Sequence, residues 1–319
     1  MEPSLLDRFR NDLDDLITPG TRFGVAVSGG PDSLSLLLLA AAARPGEVEA
    51  ATVDHCLRAE SREEADMVAG VCQRLGVPHS VLTVRWGEKP ATAVQERARR
   101  ERYRLLGYWA EERGLGALAT GHHADDQAET FLMRLNRGAG VRGLAGMRRR
   151  SVAAGTVVRL ARPLLSWRRT ELEQVCTDGG VAAIADPSNE DSRFERVRIR
   201  RALNGAEWLD PAAIARSAAH LADADSALEW ATRLTWKQAV RERNGTIGYL
   251  AADVPAEITR RIVSRAIRKL ATEGDDELRG HELDRLVATL SEGGSATIRG
   301  VRCAGGNLWQ FSPAPSRSR

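Results

Sequence analysis

The stretch Ser28-Gly29-Gly30-Pro31-Asp32-Ser33 decides the fold of this chain. It separates two apolar runs: residues 23–27 suit a buried strand, and residues 34–43 suit a helix. A glycine-rich turn between a strand and a helix directs backbone N–H groups at an anion, and the helix dipole adds to the attraction. The serine hydroxyls are further donors, and Asp32 is suited to holding Mg²⁺ near phosphate. An ordinary tight turn could have the same residues, but the flanking strand-like and helix-like segments favour a phosphate-binding loop for a nucleotide.

The type of phosphate-binding loop limits the classes of nucleotide-binding protein to which the chain can belong. A Walker A loop requires a lysine directly after its last glycine. The only lysines of the chain are Lys89, Lys237 and Lys269, so that loop is excluded. The pattern S-G-G-x-D-S is instead similar to the signature of the N-type ATP pyrophosphatases, which cleave ATP between its α- and β-phosphates.

Length and composition set the organisation that we expect. A chain of 319 residues is long enough for two domains, and Asn204-Gly205 marks a plausible boundary between residues 1–205 and 206–319. No apolar run is long enough to span a membrane, and the first residues lack a signal-peptide pattern, so we expect a cytoplasmic protein without a membrane partner. The four cysteines are scattered and form no C-x-x-C, which leaves structural zinc and iron–sulfur clusters without support.

Positive charge is concentrated in one part of the chain, although the net charge is only +3. Residues 134–169 contain ten arginines and no acid, and a second arginine cluster occupies residues 193–201. Such a block is typical of polyanion binding. A general preference for arginine over lysine would explain the residue type but not the absence of acids. We therefore expect nucleic acid as a partner.

Strand-like and helix-like segments alternate over the first 180 residues. This alternation predicts an α/β fold with a doubly wound parallel sheet, Rossmann-like as in N-type ATP pyrophosphatases. Ligands of such sheets bind at the carboxyl ends of the strands. The phosphate loop, Asp54-His55 and Gly121-His122-His123 all follow predicted strands, so we expect them to meet. The remaining residues predict a smaller, mainly helical C-terminal domain with a terminal hairpin.

The segment Gly121-His122-His123-Ala124-Asp125-Asp126-Gln127-Ala128-Glu129-Thr130 is the second strong motif. Asp126 and Glu129 are three residues apart and share one face of the predicted helix. Acids in a first helical turn also cap the helix, and that is the simpler interpretation. The functional interpretation is a set of acids that hold Mg²⁺ or orient an amine, with His122 and His123 beside the phosphates. Carboxylates suit Mg²⁺ better than zinc.

Two further segments present arginines. The run Gly138-Ala139-Gly140-Val141-Arg142-Gly143 follows a helix and lacks a surrounding βαβ unit, so it is not a dinucleotide fingerprint. It suits a flexible loop that closes on phosphates, with Arg137 and Arg142 as contacts, or a plain surface loop. Arg99 and Arg102 follow helical spacing and suit either a phosphate clamp or a solvated helix face.

These motifs, taken in order, resemble the tRNA(Ile)-lysidine synthase family. The resemblance covers about residues 23–201. Two departures stand out: Cys56 where the family has glycine, and Val197 where it has asparagine. Neither touches the proposed phosphate chemistry. The motifs are SGGPDS at 28–33, VDHCLR at 53–58, AR-x-x-RY at 98–103, GHHADDQAET at 121–130, RGAGVRGLAGM at 137–147, RPLL at 162–165 and DPSN at 186–189.

The resemblance implies a two-step ligation that uses ATP and Mg²⁺. ATP adenylates the C2 oxygen of the wobble cytidine in the isoleucine tRNA with a CAU anticodon, and the ε-amine of L-lysine then displaces AMP. On the motifs and the resemblance together, the expected catalytic residues are Asp32, His123, Asp126 and Glu129, with Asp32 and Asp126 also as Mg²⁺ ligands. The expected ATP-binding residues are Ser28, Gly29, Gly30, Pro31, Asp32, Ser33, Asp54, His55, His122 and Gly138. The expected tRNA-binding residues are Arg99, Arg102, Arg137, Arg142, Arg196 and Arg200.

Three alternatives remain at the level of sequence. A tRNA thiolase of the same superfamily, such as a cytidine 2-thiolase, adenylates a similar carbonyl, but its known relatives use cysteine pairs that this chain lacks. A nucleotide or amino-acid ligase would not need the acid-free basic stretch. A catalytically silent RNA-binding protein would not need the intact acids and histidines. The sequence leaves the choice between a monomer and a homodimer open.

Overall fold

A computed structural model of the chain describes residues 2–56, 61–86, 94–153, 155–183, 193–251, 253–271, 278 and 280–315. The chain forms two compact units, Met1–Arg137 with Ala145–Ala219, and Gly138–Leu144 with His220–Arg319. The first unit thus contains the predicted catalytic domain apart from residues 138–144, and it continues to Ala219.

The first unit is built around a six-stranded sheet. Its strands are β1 (Phe23–Ala26), β2 (Val48–Asp54), β3 (His79–Thr83), β4 (Ala117–Ala119), β5 (Arg150–Val152) and β6 (Arg159–Ala161). The strand order is β3-β2-β1-β4-β6-β5. All neighbours are parallel except the edge pair β5 and β6. The predicted doubly wound parallel sheet is confirmed, and its order reverses direction between β1 and β4.

The helices surround this sheet. Those that lie wholly in the first unit are α1 (Pro3–Asp14), α2 (Pro31–Ala43), α3 (Ser61–Leu75), α4 (Val94–Glu112), α5 (Ala124–Leu135), α7 (Arg169–Asp178) and α8 (Glu195–Asn204). Helix α2 is buried on nearly every side, with each of its residues from Ser33 to Ala40 in the core. This explains why its apolar run shows no helical alternation: a helix that is apolar all round is a central one.

The second unit has its own core and its own sheet. It contains α6 (Val141–Leu144), α10 (Ala256–Leu270) and α11 (Gly280–Ser291), and α9 (Pro211–Ala239) begins in the first unit and ends in the second. The strands are β7 (Val240–Arg243), β8 (Thr246–Tyr249), β9 (Ser295–Ile298), β10 (Val301–Ala304) and β11 (Trp309–Pro313), antiparallel in the order β7-β8-β11-β10-β9. The predicted hairpin is β10 with β11, here part of a larger sheet.

Asp210 caps the start of α9: its carboxylate oxygens accept backbone N–H groups from Ala212 at 2.8 Å and Ala213 at 3.1 Å. Helix α1 and strands β5, β7 and β8 were not predicted. The motif positions 57–58 and 186–189 lie outside the described residues. Within the part of the chain that the structure describes, no helix combines the length and apolarity needed to cross a membrane.

Candidate active site

The phosphate loop joins β1 to α2, as the sequence predicts. Gly29 has φ +83°, in the left-handed region that favours glycine, and Gly30 is the N-cap of α2. The Ser33 hydroxyl accepts the Ser28 N–H at 3.1 Å and donates to the Gly30 carbonyl at 3.0 Å. The Ser33 hydroxyl therefore holds the loop in shape. The first N–H groups of α2, which have no acceptor within their own helix, are the donors for an anion.

The loop after β4 lies directly against the phosphate loop. A Cβ at Gly121 would stand 2.7 Å from the Asp32 carbonyl oxygen and 3.1 Å from the Ser33 nitrogen, so only glycine allows this approach. Because β1 and β4 are adjacent, their carboxyl ends bring His122 and His123 to the side of Asp32. The phosphate loop and the loop after β4 are therefore in contact, as the sequence predicts.

His123 is the centre of a cluster of acids. Its Nε2 lies 3.4 Å from Asp32 Oδ2 and 3.6 Å from Asp126 Oδ2, and its Nδ1 lies 3.5 Å from Asp125 Oδ2. The side chain is only 3% exposed. Burial by itself would lower the pKa of His123, but the contacts with Asp125 and Asp32 and the charge of Asp126 outweigh burial and raise the pKa to about 10. His123 is therefore a cation at neutral pH.

The neighbouring His122 has the opposite character. Its Nδ1 lies 2.9 Å from the hydroxyl of the buried Thr120. Burial, followed by the positive charges of Arg162 and Arg102, lowers the pKa of His122 well below its usual value. Burial and Arg102 also lower the pKa of His55. A neutral and a charged imidazole thus stand side by side at the carboxyl end of β4.

The acidic motif contributes both a helix cap and ion pairs with arginines. Asp126 caps α5, since its Oδ2 accepts the His123 backbone N–H at 3.2 Å. Both acids also hold cations: Asp126 Oδ1 accepts Arg196 Nη2 at 3.3 Å. Glu129 accepts Arg196 Nε at 2.6 Å and Arg200 Nε at 2.5 Å. The arginines that we expected to bind tRNA therefore face the acids that we expected to be catalytic.

The other expected site residues are placed as follows. Asp54 is buried, and its Oδ1 accepts the Cys56 N–H at 2.8 Å, which shapes the chain after β2. Arg99 is exposed and Arg102 half-buried on α4. Arg137 is paired with Glu195 of α8. Gly138, with φ +67°, and Arg142 belong to the second unit, so their roles stay predictions.

Several buried side-chain atoms of the described residues have no hydrogen-bond partner, and they belong to the site or to the arginines and tyrosine beside it. Among the described residues they are Asp32 Oδ1, His55 Nδ1, Arg102 Nε, Tyr103 Oη, His123 Nδ1 and Arg162 Nε. Buried polar groups normally have partners, so such a concentration indicates a site shaped for a polar ligand. Tyr103 and Arg162 were not among the expected site residues, although AR-x-x-RY and RPLL contain them.

The donor set suits Mg²⁺ only together with a phosphate ligand. Over the described ranges no group of three or more His, Cys, Asp or Glu side chains is arranged to hold a metal ion. Asp32 and Asp126 offer two carboxylates at the Nε2 atom of His123, and Asp32 Oδ1 is without a hydrogen-bond partner. Mg²⁺ in nucleotide sites is commonly held by one or two carboxylates plus phosphate oxygens.

A phosphate loop at the point where a parallel sheet reverses its order defines a nucleotide-binding α/β protein. A family model described as a PP-loop domain matches residues 3–207. The chain is 48% identical over 310 residues to the tRNA(Ile)-lysidine synthase of Novosphingobium aromaticivorans, which covers 97% of this chain and 93% of that protein. It is 41% identical to the tRNA(Ile)-lysidine synthase of Zymomonas mobilis, over 93% of this chain and 90% of that protein. The chain belongs to the tRNA(Ile)-lysidine synthase family, which confirms the resemblance found in the sequence.

The structural comparison supports the same fold. The U34-tRNA thiolase NcsA from Methanococcus maripaludis, solved with its [4Fe-4S] cluster, has a TM-score of 0.58 at 18% identity. The match covers 68% of this chain and 77% of the thiolase chain. At this identity the likeness shows the fold alone.

Proposed function

We propose that this chain ligates L-lysine to C2 of the wobble cytidine in the isoleucine tRNA with a CAU anticodon, converting ATP to AMP and pyrophosphate. The observation that carries the proposal is the charged His123 among three carboxylates beside a phosphate loop, in a chain of this family. That arrangement suits a triphosphate on one side and a cationic nucleophile on the other.

In the first step the C2 oxygen of the cytidine attacks the α-phosphate of ATP, and pyrophosphate leaves. The N–H groups at the start of α2 bind phosphate oxygens, and the His123 imidazolium stabilises the charge that develops on the leaving pyrophosphate. Asp32 and Asp126 would hold Mg²⁺, which supplies Lewis-acid stabilisation of phosphate oxygens when bound. The C2–O bond becomes breakable because its oxygen is now esterified by AMP.

In the second step the ε-amine of lysine attacks C2, and AMP departs with the former C2 oxygen. Lysine arrives as an ammonium and passes one proton to a carboxylate oxygen of Asp126 or Glu129 before the amine attacks. Asp126 and Glu129 are suited to hold that ammonium, since both already hold the guanidinium of Arg196. We infer that lysine competes with Arg196 or Arg200 for these carboxylates, so the two arginines hold the acids in position until the substrate binds.

The second unit offers a surface suited to tRNA. Trp236, Arg265, Arg268 and Lys269 line a cavity of about 260 Å³. The Arg265 guanidinium lies 5.6 Å from the Trp236 ring centroid, and the Lys269 nitrogen lies 6.0 Å from it. An aromatic ring beside cations is the combination that single-stranded or looped RNA contacts. This supports tRNA recognition by the second unit.

Sulfur insertion is the less suitable chemistry for this chain. Cys72, Cys176 and Cys303 are buried. Burial raises the pKa of Cys72 and of Cys303 to about 11, so neither is a reactive thiolate at neutral pH. Cys56 is exposed but is a single residue rather than a pair.

Nucleoside mass analysis tests the proposal directly. The protein is incubated with the CAU-anticodon isoleucine tRNA, Mg-ATP and isotopically labelled lysine. We expect a labelled lysine adduct on one cytidine, with AMP and pyrophosphate formed in equal amounts. Pyrophosphate without the adduct would point to another nucleophile. Neither product, from folded protein that binds the tRNA, would contradict the proposal and favour a silent RNA-binding protein.

A further inference from the structure

A second group of polar side chains includes two arginines that lie close enough to His122 to lower its pKa. Arg102 and Tyr103 belong to α4, and Arg162 directly follows β6. Tyr103 is only 5% exposed and Arg162 only 7%. The Tyr103 hydroxyl and the Nε atoms of Arg102 and Arg162 are buried without a hydrogen-bond partner. Three donors that are buried and unused require an explanation beyond packing.

The positive charge of this group is not balanced by acids. Over the described ranges, no carboxylate forms an ion pair with Arg99, Arg102 or Arg162, whereas Arg196 pairs with both Asp126 and Glu129. The guanidinium carbons of Arg99 and Arg102 each lie 5.2 Å from the centre of the Tyr103 ring. A buried charge without a partner is costly, and an anionic ligand removes that cost.

Arg162 is held in a fixed orientation. Its Nη1 donates to the Arg148 carbonyl oxygen at 2.7 Å and to the Ser151 hydroxyl at 2.9 Å. These bonds anchor one side of the guanidinium and leave the Nε side unused. A preformed donor of this kind recognises an anion without first being ordered.

We propose that Arg102, Tyr103 and Arg162 form a phosphate subsite separate from the glycine-rich loop. The ligand is a phosphate group, which comes either from the RNA backbone beside the target cytidine or from the pyrophosphate end of ATP. The proposal rests on the proposed function, because that function supplies these two phosphate-bearing substrates.

The electrostatics of the neighbouring groups agree with this assignment. Burial would raise the pKa of Tyr103, but the charges of Arg102 and Arg99, the contact of the hydroxyl with Arg102 and the charge of Arg162 lower the pKa overall. A phenol whose pKa falls despite burial lies in a strongly positive potential. A tyrosine hydroxyl can donate its O–H to a phosphate oxygen.

The variant Tyr103→Phe tests the subsite cleanly. It removes only a hydroxyl that makes no well-formed hydrogen bond in the protein, although it lies within reach of the Arg102 and Arg162 guanidinium groups, so we expect little change in the melting temperature without ligand. Two dissociation constants are then measured, for Mg-ATP without tRNA and for the tRNA without ATP. We expect one of them to rise about tenfold, the loss of one hydrogen bond to a charged group. Tyr108→Phe, at an exposed tyrosine of the same helix, is the matched control and should change neither.

Comparing the two dissociation constants identifies the source of the phosphate. A weaker tRNA complex with unchanged Mg-ATP binding assigns the subsite to the RNA backbone, and the reverse assigns it to ATP. Unchanged values for both, with Tyr103→Phe folded, overturn the subsite. These outcomes do not depend on lysine transfer. A missing lysine adduct together with a tenfold loss of binding would refute the proposed reaction and leave the subsite standing.

Arg102→Gln provides a second test for the RNA arm. Removing one phosphate-binding cation should reduce by about one the slope of the logarithm of tRNA affinity against the logarithm of salt concentration. An unchanged slope, after Tyr103→Phe had weakened tRNA binding, would overturn the assignment to an RNA backbone phosphate.

Discussion

His123 shows how a single residue changes character with its surroundings. Sequence reasoning placed it beside the phosphates because it follows a strand at the sheet edge. It could not give the protonation state, because Asp32 is about ninety positions away in the chain and approaches only through the packing at Gly121. The structure makes His123 a buried cation, and that has a measurable consequence for stability.

Replacing His123 by Gln should lower the free energy of unfolding most at low and neutral pH. The pKa of His123 in the folded state is about 10, above the value near 6.5 of an unfolded chain. The cation therefore stabilises the fold fully below about pH 6.5 and progressively less as the pH rises through 10. Urea unfolding of both proteins at pH 6, 8 and 10 should give a difference that shrinks by more than about 1.4 kcal/mol, one pKa unit. A constant difference would contradict a protonated His123.

At the scale of elements, the packing of α5 against α8 is a feature that the sequence did not predict. The spacing of Asp126 and Glu129 predicted that they share a helix face, and residues 193–201, which include most of α8, were identified as an arginine cluster. Neither pattern showed that the two helices pack against each other. Glu129 is 2% exposed, and both of its oxygens accept from arginines of α8. The ion-pair partners are about seventy positions apart, a distance that single-sequence periodicity does not report.

Glu129→Gln should therefore destabilise the protein as well as reduce activity. It leaves Arg196 and Arg200 without their main acceptor, which costs several kcal/mol for a fully buried pair. Both arginines are partly exposed, so water recovers some of the loss, and we expect about 2 kcal/mol in the free energy of unfolding. Urea denaturation measures it. The control is Glu173→Gln, which removes an exposed partner of Arg169 and should stay within about 0.5 kcal/mol of the unchanged protein. Equal effects of the two substitutions would contradict a stabilising role for the α5–α8 contact.

Other elements show where sequence patterns are sufficient. Strand β1 was predicted at residues 23–27 and is observed at Phe23–Ala26, because a buried parallel strand is a short, continuous apolar run. Strands β7 and β8 were missed, although Asn244-Gly245 has the positive φ values of a tight hairpin turn. Three charged side chains in β7 hid the strand pattern. Helix α1, whose buried residues are only Phe9 and Leu13, gave too sparse a signal.

At the scale of the whole molecule, the two units divide the proposed work. The first unit contains the sheet, the phosphate loop and every expected ATP-binding residue except Gly138. The second unit has a separate core, in which Tyr249, Ile262 and Phe311 are fully buried. The sequence predicted two domains from length and a turn signal, but it could not show that residues 138–144 group with the C-terminal part, since that grouping depends on distant contacts.

A chain that ends at Ala219 tests this division of work. This shortened chain contains the whole of the first unit, and residues 138–144 are the only part of the second unit that it keeps. Mg-ATP affinity should stay within about threefold, a loss below 1 kcal/mol. Discrimination between the isoleucine and methionine tRNAs should fall strongly, because both carry a CAU anticodon and must be told apart elsewhere. Circular dichroism and urea unfolding establish that the shortened chain is folded, and competition binding with the two tRNAs measures discrimination. A folded shortened chain that still prefers the isoleucine tRNA to the same degree would place recognition in the first unit and leave the second unit without its proposed role.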